Sequence, residues 1–84
     1  GLIWQVVDDD KLAAEATALA QRLAAMPTRS LGAIKRALDA SETSTLDQQL
    51  DRERDLQREL GRSDDYREGV AAFLEKRAPS FTGR

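Results

Sequence analysis

Phe73 and Lys76 stand three residues apart near the end of a helical run, a spacing that places them on one face. A flat ring beside an ammonium can hold a ligand that is planar at one point and anionic at another, and a nucleotide has that shape. The plainer reading of the same residues makes Phe73 part of a core and leaves Lys76 and Arg77 to complement the negative end of a helix dipole. Glu68 and Glu75 also share a helix face, and solvated carboxylates are the better account of them than a proton-transfer pair. Asp47, Asp51, Asp55 and Glu59 repeat every four residues beside a matching row of Arg54, Arg58 and Arg62. Stacked carboxylates invite a metal, but dinuclear helical sites combine Glu with histidine, and the chain has no histidine. A solvated or subunit-facing charged surface is therefore expected there, with Asp51–Arg54, Arg52–Asp55, Asp55–Arg58 and Glu59–Arg62 as attractive pairs.

The wider composition removes most other chemistry. Without cysteine or histidine there is no disulfide, no thiolate or imidazole metal site and no imidazole acid–base catalyst. No glycine-rich phosphate loop and no G-x-S-x-G is present. Thirteen basic against fifteen acidic residues give a net charge of −2, spread along the chain, which argues against nucleic acid as a partner. No apolar run is long enough to span a bilayer, so the expectation is a cytoplasmic product with no membrane partner.

The elements that must position Phe73 and Lys76 follow from spacing, and the fold class expected is mainly α, one short strand and about four helices. Gly1–Val7 is rich in β-branched and aromatic residues and reads as the strand. One strand cannot pair with itself, so it must join another molecule's sheet, lie flat on the helices, or belong to a sheet completed elsewhere. Asp9 or Asp10 caps a first helix carrying Leu12, Ala16, Leu19, Ala20 and Leu23, ended by Pro27. Thr28 caps the second, or Pro27 lies in its first turn; Leu31, Ile34 and Leu38 follow. Ser44 or Thr45 starts a third helix with Leu46, Leu50, Leu56 and Leu60, and Gly61 is placed to end it in the left-handed conformation. Ser63 heads the last helix, with Asp64 and Asp65 in its first turn and Pro79 beyond its end.

One set of residues carries more than periodicity. Gly1-Leu2-Ile3-x-x-Val6-Val7, then Leu12, Ala16, Leu19, Ala20, Lys35 and Glu53, leads to Asp65-x-x-Glu68-Gly69-x-x-Ala72-Phe73-x-x-Lys76-Arg77-x-Pro79-x-Phe81-x-Gly83. Over nearly its whole length the chain resembles the C-terminal third of the enoyl-CoA hydratase/isomerase (crotonase) superfamily. Through TLDQQLDRERDLQRELGRSDDYREGV it is most similar to the phenylacetate-pathway branch, the 1,2-epoxyphenylacetyl-CoA isomerases.

The resemblance implies a longer enzyme in which an N-terminal spiral of ββα turns precedes a helical trimerisation region. Two backbone N–H groups of the spiral stabilise the enolate of a CoA thioester, and acidic side chains there move protons. None of those positions falls in this chain, so residues 1–84 are expected to be the helical segment serving assembly and coenzyme contact, inactive alone and with no catalytic residue of their own. Gly1–Val7 would be the last strand ahead of that region. Phe73 and Lys76 match family positions that reach the adenine and phosphate end of coenzyme A bound mainly by a neighbouring subunit, the coenzyme entering only as part of the acyl-CoA substrate. A further aromatic of some hydratases falls near Gln57. Self-association is expected because helix faces cut from a larger body are apolar. The alternative is a stand-alone helical binding or assembly module without catalysis.

Overall fold

The computed structural model describes all residues, Gly1–Arg84. Four helices follow one another: α1 (Asp9–Ala24), α2 (Thr28–Ser41), α3 (Leu46–Leu60) and α4 (Asp64–Glu75). α2 and α3 pack antiparallel, since Arg29 near the start of α2 meets Glu59 near the end of α3 at 2.7 Å. Farther along, the Gln49 side-chain amide donates to the Ala37 carbonyl at 3.2 Å.

The helices barely enclose anything. The only buried apolar residues are Ala33 and Ala72, and no large side chain is fully covered. The radius of gyration is 16.2 Å, against about 12 Å for a compact domain of this length. Ile34, Leu38, Leu46 and Leu50 are all more than half exposed. Such an open arrangement leaves apolar faces that a larger assembly would cover.

The expected strand at Gly1–Val7 is not formed; the fold is all-helical with an irregular N-terminal segment. A strand exists through its neighbour's hydrogen bonds, and no other strand is available within the chain. The segment instead turns beside α1, where Trp4 and Val7 border a trough with Leu12, Ala16 and Leu19. Leu2, Ile3, Trp4 and Val6 remain largely in solvent.

Local signals account for most helix ends. Asp8, not Asp9 or Asp10, occupies the cap position of α1; its carboxylate accepts from the Lys11 ammonium at 2.9 Å and from no backbone N–H of the first turn, where Asp9 and Asp10 lie. Pro27, which has no N–H to lose, caps α2 through its carbonyl, which accepts from Ser30 and Leu31. Thr45 and Gln48 form a capping box at the start of α3. Gly61 departs from expectation: its φ of −64° is right-handed. Tight backbone bonds from Arg62 to Glu59 and from Ser63 to Leu60 carry the chain directly into α4, so no reversal is needed there. The left-handed helix terminator is Lys76, at φ 54° and ψ 38°.

Candidate functional site

Ser63 starts α4 by accepting a hydrogen bond from the Tyr66 N–H, and the helix ends at Glu75 in a Schellman turn. There Arg77 N–H reaches back to the Ala72 carbonyl at 3.0 Å and Lys76 N–H to that of Phe73 at 3.3 Å. A lysine in the left-handed region costs about 1–2 kcal/mol relative to right-handed backbone, and a glycine would meet the same turn without that cost.

Beyond Lys76 the chain folds back along α4. The Arg77 guanidinium donates to both carboxylate oxygens of Glu68, at 2.6 and 2.9 Å, and to Glu75 at 2.6 Å. Ser80 N–H donates to Glu68 Oε1 at 2.7 Å. One turn earlier Asp65, 4% exposed, accepts from Thr82 N–H at 2.7 Å and from Gly83 N–H at 2.8 Å. Its own N–H donates to the Arg84 carbonyl at 3.0 Å. The Phe81 ring passes close to Gly69, where an added Cβ would sit 3.6 Å from it. Phe81 also borders the groove between α2 and α3 with Ala33, Ile34, Leu56 and Leu60. Gly83 (φ 77°) comes so near Thr28 that a Cβ there would lie 2.5 Å from the Thr28 hydroxyl. The tail thus ties α4 to the start of α2.

Charge follows this geometry. Hydrogen bonds from Arg77, and then from the Ser80 N–H, pull the Glu68 carboxyl from its ordinary 4.5 down to about 2. The Arg77 guanidinium is raised in turn, by Glu68 first and Glu75 second. On α3, Arg54 is raised by its hydrogen bond to Asp55 and by the charge of Asp51.

Phe73 and Lys76 emerge together at this end of α4. The Phe73 ring is 83% exposed, so it is no core residue of this chain, contrary to the plainer reading of its sequence position. Lys76 is exposed as well, and its ammonium takes no part in any of the eight ion pairs, while Arg77 next to it engages both nearby carboxylates. Glu68 and Glu75, weighed from sequence as solvated carboxylates, are instead the two anchors of one guanidinium. On the charged face of α3, Asp51–Arg54 and Asp55–Arg58 form at 2.8 and 3.7 Å. Glu59 pairs across to Arg29 instead of Arg62, and Arg54, not Arg52, joins Asp55. Gln57 borders the α2–α3 groove, away from the α4 end. Sequence reasoning did not find the role of Asp65; its carboxylate, read as a dipole partner, is the receptor for the tail.

The family model described as enoyl-CoA hydratase/isomerase matches residues 1–84. The chain is 63% identical over its whole length to the 1,2-epoxyphenylacetyl-CoA isomerase of Escherichia coli K12, covering 32% of that protein. Its fold superposes on an enoyl-CoA hydratase of Geobacillus kaustophilus HTA426 with a TM-score of 0.92 at 33% identity, over 100% of this chain and 32% of the other. A Mycobacterium abscessus protein described as an enoyl-CoA hydratase/isomerase gives a TM-score of 0.96 at 39% identity, with the same coverage. The chain spans about one third of the length of the relatives it matches. A C-terminal run first read as carrying a resemblance, a matching family model over every residue and two superposable folds agree: this chain belongs to the enoyl-CoA hydratase/isomerase family.

Proposed function

We propose that these 84 residues act as the C-terminal helical segment of a cytoplasmic crotonase-type enzyme working on acyl-CoA thioesters. In that role they serve subunit assembly and present Phe73 and Lys76 to the nucleotide end of coenzyme A. The observation that carries this reading is the exposed ring of Phe73 beside a left-handed Lys76 whose ammonium is left unpaired. A ring face suits adenine and a point charge suits phosphate. The assembly role is supported by the open packing of α1 to α4 and the apolar faces it leaves in solvent.

On this reading enolate stabilisation and proton transfer belong to residues outside 1–84, so the chain by itself is expected not to hydrate crotonyl-CoA; turnover by the isolated 84 residues would overturn the segment reading. In the complete protein, Lys76→Ala and Phe73→Ala should each weaken coenzyme A binding severalfold, in line with about 0.5–1.5 kcal/mol for an aromatic contact and about 1 kcal/mol for an exposed charge contact. Affinity unchanged in both variants would favour a purely assembling module. A relative at 63% identity named as a 1,2-epoxyphenylacetyl-CoA isomerase supports an isomerase of ring-epoxidised phenylacetyl-CoA thioesters over a hydratase. Product analysis with both substrate types in the complete protein decides between them.

A further inference from the structure

We infer that Glu68 is the positioning residue of this edge: it fixes the helix-end turn so that the Lys76 ammonium, and not the neighbouring guanidinium, is presented to the phosphate-bearing end of the nucleotide. The inference rests on the Phe73–Lys76 reading given above.

A single carboxylate does three things at this turn. It accepts two hydrogen bonds from the guanidinium of Arg77, the residue that follows Lys76. It accepts a third from the backbone of Ser80, which pins the chain beyond the turn. With only 24% of its side chain exposed, it is sheltered enough for these bonds to direct geometry. Lys76 lies between the helix that carries Glu68 and the tail that Glu68 holds, in a backbone region a lysine enters at a cost. The two Schellman bonds close the turn, and Glu68 holds the residues just beyond it through Arg77 and Ser80, ahead of the Asp65 contacts to Thr82 and Gly83. Arg77 also takes Glu75, the residue just before Lys76. Two cations adjacent in sequence are thus given different work: Arg77 is bound inward as a bidentate fork, and Lys76 is left outward as a free point charge.

The test uses the complete protein and two probes, coenzyme A and dephospho-coenzyme A, which lacks the ribose phosphate. The readout is the ratio of their dissociation constants, because general loss of structure weakens both alike and leaves the ratio unmoved. Lys76→Ala is expected to lower the preference for coenzyme A by about fivefold. Glu68→Ala should lower it about two- to fivefold with Lys76 still present, and should have no further effect on the ratio in the Lys76→Ala background. Glu68→Gln, which keeps an oxygen for the Ser80 N–H but loses the charge that holds Arg77, should fall between. If Glu68→Ala weakens both probes by the same factor, Glu68 is only structural and the inference fails while the Lys76 contact stands. If Lys76→Ala itself leaves the ratio intact, the contact to the ribose phosphate fails and this inference with it.

Discussion

Glu68 and Arg77, on α4 and just past its end, are joined by two hydrogen bonds of 2.6 and 2.9 Å. The fork of the guanidinium matches the two carboxylate oxygens, and the match folds the tail back over the helix from which it came. This one pairing accounts for the glutamate and the arginine of EGVAAFLEKRAPSF. Glu68 grips Arg77 and Ser80, the Phe81 ring lies over Gly69, and the turn between them leaves Lys76 exposed.

The grip has a defined acid limit. Because Arg77 and Ser80 lower Glu68 from 4.5 to about 2, the unfolded chain binds more protons than the folded one between those values. The stability contributed by the group is therefore complete above about pH 4.5 and is lost as pH falls through about 2. The Ser80 amide resonance, followed by NMR, should titrate with a midpoint near 2; a midpoint near 4.5 would mean that the clamp does not exist in solution.

Asp65 anchors the tail through two backbone N–H donors while almost wholly covered. Removing its carboxylate leaves those donors without their acceptor, at a cost of about 2–3 kcal/mol. Asp65→Ala should speed hydrogen exchange at the Thr82 and Gly83 amides by more than tenfold, whereas Asp64→Ala, one residue away and exposed, should not. Equal exchange in the two variants would remove Asp65 from this role.

Two glycines of the clamp are expected to respond in opposite directions. At Gly69 a Cβ would meet the Phe81 ring at an ordinary 3.6 Å, and alanine is the better helix former by about 1 kcal/mol. Gly69→Ala should therefore stabilise the protein by about 0.5–1 kcal/mol in urea unfolding. At Gly83 the φ of 77° and the 2.5 Å approach to Thr28 both oppose a side chain. Gly83→Ala should cost at least about 1–2 kcal/mol.

The start of α3 gives a separate check, because Thr45 accepts from Gln48 N–H and the Gln48 side chain accepts from Thr45 N–H. Thr45→Ala should lose about 1 kcal/mol of stability, while Thr45→Ser should lose little. Equal loss in both would point to the methyl group, not to the cap.

Much of this was legible in residue spacing and much was not, for physical reasons. The four helices announce themselves by period and by Pro27, Thr45 and Ser63, since caps and apolar stripes are local. Gly1–Val7 reads as a strand but forms none, because its β-branched composition reports a preference that only a neighbouring strand can fulfil. Spacing points to Gly61 for the left-handed role that Lys76 holds, because the direction the chain takes after a helix is set by what it packs against. The same limit applies to ion pairs: Asp51–Arg54 is visible in spacing, but Glu59 turned to Arg29 through the α2–α3 contact. For the candidate site, the three-residue interval between Phe73 and Lys76 is readable in the sequence, and both residues are exposed. That Arg77 is withdrawn by Glu68, nine residues back, is not readable there, since a helix-period argument stops where the helix does.

The most direct measurement is a crystal structure of the complete protein with coenzyme A bound. Lys76 Nζ should lie within about 3 Å of a coenzyme phosphate oxygen, with the Phe73 ring against the adenine and Arg77 still held by Glu68. Coenzyme bound with Phe73 and Lys76 both left in solvent, or with Arg77 released to the phosphate in place of Lys76, would contradict the proposal.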